Sequence, residues 1–197
     1  MPAEIRNVTA AEIPTVSIAL AKAFADDPLK LFLTGGRTLS VERAAPFFRA
    51  FQEIQLPHGH VYTSPGFEAA AIWAPPGQWK VPFSQVVRKS PTFLKLYGLR
   101  FLPNLQVLSD LEKLHPHEPH YYLEIIGTDP AYQGKGFGST LMTPMTEQAD
   151  TEGVGMYLES SKESNVAFYG RFGFVTRQTM THRRNGPQQW LMWRDPR

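Results

Sequence analysis

Cysteine is absent from all 197 positions, which removes a disulfide framework, a thiolate zinc site and a thiol nucleophile together. No apolar run approaches the roughly 18 residues needed to span a bilayer. The opening MPAEIRNVTAAEIPTV carries early acidic residues and no basic stretch ahead of an apolar block, so no secretory leader is expected. Net charge is also low, at +2. The basic residues are scattered except for Arg183 and Arg184 beside His182, which argues against a nucleic-acid partner. A cytoplasmic protein with neither a nucleic-acid nor a membrane partner is the resulting expectation.

What is present suits a packed core. Hydrophobic residues make up 42% of the chain, with 13 Phe, 7 Tyr and 4 Trp, more aromatic surface than a disordered chain carries. No repeat or low-complexity linker divides it, so residues 1–197 are expected to form a single domain.

Glu4–Val8 reads as a short strand. Thr9-Ala10-Ala11-Glu12 has capping-box spacing, and Ile13, Val16, Leu20 and Phe24 recur at helical spacing until Asp26-Asp27-Pro28 stops them. A second helix is predicted from about Ser40, carrying Phe47, Phe48, Phe51 and Ile54. Two strand-like runs, His60–Thr63 and Glu68–Ala74, flank the turn residues Ser64-Pro65-Gly66. A mostly helical insertion at about 75–118 follows, with an aromatic stripe of Phe83, Phe93, Tyr97 and Phe101 that reads as core or as a substrate lid.

Strand character resumes over His120–Ile126, then a glycine loop, a helix to about Asp150, a strand at Val154–Glu159, a short helix at Asn165–Arg171 and two final strands. The order predicts an α/β (α+β) sandwich, with helices covering a mixed, mostly antiparallel sheet.

Gln133-Gly134-Lys135-Gly136-Phe137-Gly138-Ser139 joins a buried strand to an amphipathic helix. Glycines there let backbone approach a ligand, and the unpaired first amides of the helix form an anion site beside the Lys135 charge. The run is neither a Walker loop nor a dinucleotide fingerprint, since neither spacing is met. Pro144 removes an internal hydrogen bond, so a kink is expected in the following helix.

Gln133, Gly136 and Gly138 match the pattern Gln/Arg-x-x-Gly-x-Gly/Ala, and Asn165-Val166-Ala167-Phe168-Tyr169-Gly170-Arg171-Phe172-Gly173-Phe174 follows about 30 residues later. In these two motifs and its element order the chain resembles the GNAT acetyltransferase superfamily. Pro119–Leu123, Gly127–Pro130, Tyr157–Ser160 and Trp190–Met192 further resemble the puromycin N-acetyltransferase-like branch, whose members acetylate small amines, antibiotics included. The resemblance implies acetyl-CoA as donor and a GNAT fold. It implies that the amides of residues 133–139 hold the CoA pyrophosphate, that neighbouring strands splay, and that Ile126, Gly127 and Thr128 pair with the pantetheine arm. Asn165 and Phe168, in the second motif, are placed beside the cofactor, although Asn165 also suits a helix N-cap.

An alkylamine with a pKa near 10 must lose a proton at a cost of roughly three pH units, about 4 kcal/mol, and the departing thiolate benefits from an acid. The resemblance places Tyr169 in the acid's position. Glu124 is a candidate base because a carboxylate within Tyr121–Ile126 needs a cleft, water or a structural hydrogen-bond network, and alternation puts it on one face with Tyr122 and Ile126. Glu159 and His120 are further candidates, and superfamily members also use water chains. Tyr122 and Glu159 are counted with the acceptor site. Asp27, with Asp26, either attracts a cationic acceptor or only ends the first helix. No metal is expected: in His115-Pro116-His117-Glu118-Pro119-His120 the prolines break helical ligand geometry. Direct acetyl transfer to a small amine is the expected function, with a non-catalytic acyl-CoA-binding module or a protein N-acetyltransferase as alternatives.

Overall fold

A computed structural model describes residues 4–183 and 185–197, so Arg184 lies outside the described residues. Strand β1 is only Arg6–Asn7, and α1 runs Ile13–Ala23. The capping box forms by half: Glu12 accepts from the Thr9 amide and pairs with Arg6, but the regular helix begins after Glu12, so Thr9 opens a turn instead. Asp27-Pro28 does not simply stop a helix. It starts α2, Pro28–Leu33, with Asp27 accepting from the Lys30 amide and proline at the first helical position, where a missing N–H costs nothing.

Helix α3 is Val41–Gln55, and β2 (Val61–Thr63) and β3 (Ala69–Ala74) form the expected hairpin. The insertion holds α4 (Phe83–Tyr97) and α5 (Phe101–Glu112). Then come β4 (His120–Thr128), α6 (Phe137–Glu152), β5 (Gly155–Ser160), α7 (Val166–Gly170), β6 (Val175–Thr181) and β7 (Gln188–Arg194). Helix α6 passes Pro144 as one element.

The seven strands are ordered β1-β2-β3-β4-β5-β7-β6 and all neighbours are antiparallel except β4 and β5. One face buries Val16, Leu20, Phe48 and Ile125 beneath α1 and α3; the other buries Leu141, Met142, Met145 and Trp73 beneath α6. β3 is apolar throughout and wholly buried, as a central strand covered on both faces must be. In the insertion, the aromatic stripe divides. Tyr97 is buried and Phe93 and Phe101 pack with it, whereas Phe83 is 81% exposed.

Arg194 on β7 is buried and forks onto both oxygens of Asp150 at 2.7 and 2.6 Å, while its Nε donates to the Phe172 carbonyl. Arg194→Leu leaves the Phe172 carbonyl without its side-chain donor and Asp150 with only the Arg197 amide. We expect a loss of about 2–3 kcal/mol by urea unfolding, below the figure for a wholly buried pair because Asp150 still reaches water.

Candidate functional site

β4 and β5 pair from His120↔Gly155 to Leu123↔Leu158 and then separate. The cause lies on the other edge of β4. Ile72 faces Ile125 and Trp73 faces Leu123, so Glu124 is an extra residue, a bulge that bends the strand and raises its twist. Past it, Ile126, Gly127 and Thr128 keep their pairing to β3 but have no partner in β5, leaving main-chain polar groups along one edge. The bulge also corrects the alternation expected for Glu124. Ile125 packs with α1 and α3 while Ile126 packs with the opposite cluster, so Glu124 and Ile126 do not share a regular face.

Gly127 owes its identity to α1. A Cβ there would stand 2.7 Å from the Ala23 Cβ and 3.0 Å from the Phe24 ring. Gly127→Ala is therefore expected to push α1 outward, lowering stability by about 1–3 kcal/mol and weakening acetyl-CoA binding, read by urea unfolding and by calorimetry.

Below that edge, Asp129 fixes the turn: its carboxylate accepts from the Ala131 amide and pairs with Lys22 at 2.8 Å. Gly134 and Gly136 hold φ of +76° and +89°, the left-handed region, and Gly136 stands at the head of α6. The first intrahelical bond runs from the Thr140 amide to the Gly136 carbonyl, so the amides of Phe137, Gly138 and Ser139 precede the ladder. The Phe168 ring lies against Gly138, 3.2 Å from where a Cβ would be.

These parts border one cavity of about 520 Å³. Its lining includes Ile126, Gly127, Thr128, Gln133, Gly134, Gly136, Phe137, Gly138 and Ser139, with Asn165, Phe168 and Tyr169 from the second motif and Asp27 from the cap of α2. Lys135 is not part of it; its ammonium lies 5.0 Å from the Tyr132 ring centre. Asn165 makes no side-chain cap on α7, which leaves its amide free to face the cavity. Phe24, Lys162 and Arg171 also line it, none of them readable from the motifs.

Tyr169 is 6% exposed and packs edge-on against Phe168 and Phe174. Burial, and then the Asp27 carboxylate, push its pKa above the usual phenol value. Asp27 itself accepts from the Ser161 hydroxyl and from the Lys30 amide.

Tyr122, Glu124 and Glu159 lie outside the cavity lining, at the base of the splay. Glu159 follows Leu158 as Glu124 follows Leu123, so each strand carries a carboxylate one residue past the last pair, and the Glu159 charge is felt at Glu124. Burial pushes Glu124 up to about 8, against the pull of Gln55, whose amide donates to it at 2.7 Å; the Glu159 charge adds to the rise. Burial likewise pushes Glu159 up to about 7, with the Tyr122 hydroxyl donating to it at 2.7 Å and drawing it back. Gln55 was missed in sequence, and His115 was weighed there only as a metal ligand. His115 Nδ1 lies 3.9 Å from Glu159, its Nε2 lies 2.9 Å from His120 Nε2, and His120 Nδ1 donates to the Glu118 carbonyl at 2.6 Å. The histidines that converge are thus five apart, across the turn before β4. Trp79 stacks on His115 with ring centres 3.7 Å apart.

The GNAT acetyltransferase family model matches residues 98–174, from the end of α4 through α7. An uncharacterised N-acetyltransferase of Schizosaccharomyces pombe is 28% identical over 187 residues, covering 89% of this chain and 75% of that protein. Among solved structures, a Corynebacterium glutamicum protein described as a histone acetyltransferase and related acetyltransferase superposes with a TM-score of 0.72 at 22% identity, over 100% of this chain and 98% of that one. An agmatine N-acetyltransferase gives 0.68 at 15% identity, covering 99% and 100%. A Drosophila melanogaster polyamine N-acetyltransferase gives 0.66 at 16%, covering 98% and 99%. The fold is the GNAT fold. Over residues 98–174 the chain matches the GNAT acetyltransferase family, and that match, with the Schizosaccharomyces pombe relative, supports reading it as an N-acetyltransferase.

Proposed function

We propose that this enzyme transfers an acetyl group from acetyl-CoA directly to the amine of a small molecule. The observation that carries the reading is the meeting of a splayed strand edge and a helix N-terminus in one cavity, with a buried carboxylate pair at the base of the splay. The amides at Gly134 and Gly136–Ser139 suit a pyrophosphate. The edge of Ile126–Thr128 suits the amide groups of the pantetheine arm, with Gln133, Asn165 and Phe168 flanking it. Lys135 contributes only its charge at longer range.

Tyr169 holds its proton throughout the neutral range and donates it to the developing thiolate. The Glu124–Glu159 pair, both raised chiefly by burial, receives the amine's proton directly or through Tyr122 or water. His115 and His120 extend that network. Asp27, in the cavity wall, draws in a cationic amine. No covalent enzyme intermediate enters, since the chain has neither cysteine nor a serine in a nucleophile setting. A cytoplasmic setting goes with this reading.

A small acceptor is favoured because the insertion closes on the carboxylate pair. Trp79 and His115, one from each end of it, stack beside Glu159, and Asn104 and Arg100 donate to carbonyls of α2, the helix that Asp27 caps. The fold relatives that act on agmatine and polyamines point the same way. The narrower likeness to the puromycin N-acetyltransferase-like branch adds aminonucleosides to the candidates. The test is mass-spectrometric product analysis with agmatine, polyamines, arylalkylamines, puromycin and peptide N-termini. Acetylated small amines are the expected result. Acetylation of peptides alone would move the assignment to a protein acceptor, and acetyl-CoA binding with no product would leave an acyl-CoA-binding module.

A further inference from the structure

Exposed apolar side chains are unevenly spread over this molecule. Of the eleven large hydrophobic residues exposed among the described residues, eight fall between Phe83 and Leu108, on the α4–α5 hairpin. Phe83, Val87 and Leu94 stand at i, i+4 and i+11, one outward stripe of α4. At the corner between the helices Leu99 is fully exposed and Leu102 is 73% exposed. Such concentration on one element is not the single scattering expected of an ordinary soluble surface.

The charge on this hairpin is as uneven. Residues 79–109 contain Lys80, Arg88, Lys89, Lys95 and Arg100 and no acidic residue; the acids of the hairpin, Asp110 and Glu112, stand at the far end of α5, Asp110 beside Lys113 and Arg183 and Glu112 beside Lys80. Lys89 turns inward to Glu53 on α3, and Arg100 donates to the Phe32 and Leu33 carbonyls. Arg88 and Lys95 are exposed, seven residues apart on one side of the apolar stripe, and neither forms an ion pair among the described residues. Lys80 faces Glu112 at 3.8 Å, with both side chains more than half exposed.

We propose that the α4–α5 hairpin is a peripheral docking surface for an anionic lipid bilayer, with Leu99 and Leu102 entering the interface and Arg88 and Lys95 lying against the headgroups. An apolar stripe bordered by cations, with no carboxylate within it, is the pattern of a helix that lies in a membrane surface. A second copy of this chain fits the face less well, because self-association would set Arg88 and Lys95 against their own like charges. A protein groove fits less well too, since the most exposed apolar residues stand at a protruding corner rather than along a flat strip. The expectation of no membrane partner rested on the lack of a spanning run, and no helix among the described residues is long and apolar enough to cross. Surface docking requires none.

The experiment is co-sedimentation of the full chain with phosphatidylcholine vesicles, and with vesicles in which about a third of the lipid is phosphatidylserine. Binding to the anionic vesicles at least about tenfold above the neutral ones, and weakened by salt, is expected. Arg88→Glu with Lys95→Glu should reduce it about tenfold or more, as should Leu99→Ser with Leu102→Ser. These side chains are outside the core, so both variants should keep the wild-type melting temperature and acetylate a soluble amine at the wild-type rate. Equal or no binding to the two vesicle types overturns the proposal. So does a dimer by analytical ultracentrifugation that Leu99→Ser dissociates, or binding to polyglutamate without binding to vesicles.

Discussion

Tyr169→Phe is expected to lower kcat by about 10²–10⁴ while leaving acetyl-CoA affinity little changed, the usual range for removing a general acid. The substitution takes one oxygen from a ring that keeps its contacts with Phe168 and Phe174, so the cavity wall and the fold should persist. Burial and the Asp27 carboxylate hold the phenol protonated at neutral pH, which is the form an acid needs. In the proposed role the hydroxyl acts on charge that develops only as the thiolate departs, so its loss should appear in kcat rather than in binding. Stopped-flow thiol release and calorimetry on the same preparation separate the two. An equal fall in affinity and turnover would make Tyr169 a packing residue.

The second large effect belongs to the carboxylate pair. With Glu159 pushed up to about 7 and Glu124 to about 8, kcat/KM for the amine should rise with pH across that interval as the pair gives up a proton. Glu159→Gln should remove this limb and lower kcat/KM by about 10²–10⁴. Glu159 accepts from the Tyr122 hydroxyl and lies 3.9 Å from His115; its neutral isostere keeps an acceptor for the hydroxyl but cannot take up the amine's proton.

The same groups tie stability to pH. Both carboxylates are raised in the folded state above the ordinary glutamate value of 4.5, so the folded state binds their protons more tightly than the unfolded chain. Their contribution is complete below pH 4.5 and is lost as pH rises through 7 to 8. The slope is at most about 1.4 kcal/mol per pH unit for each group. Glu124→Gln, which cannot ionise and keeps a partner for Gln55, should flatten that decline in thermal unfolding. A mutant curve parallel to the wild type would show that Glu124 is ionised or solvated in the folded protein.

The placement of the glycine loop and of the Asn165–Phe174 motif was legible because their geometry is local. Left-handed glycines and a helix start are encoded within a few residues, and all the loop positions but Lys135 do border the cavity. The bulge at Glu124 was not legible, since an extra residue in one strand is defined only by its partner, here the Ile72–Trp73 step of β3. Gln55 and the position of His115 were hidden for a similar reason. Gln55 ends a helix 69 residues from the carboxylate it holds, and His115 reaches Glu159 only after the insertion folds back. Helix α2 was overlooked because Asp27-Pro28 serves as a stop for one helix and a start for the next.

Thiol release from acetyl-CoA across a panel of small amines, with wild type and Tyr169→Phe side by side, tests the central claim most directly. Release that depends on an amine, and that collapses in the variant while acetyl-CoA still binds, is the predicted result. Tight acetyl-CoA binding with no amine-dependent release from the wild type would contradict it.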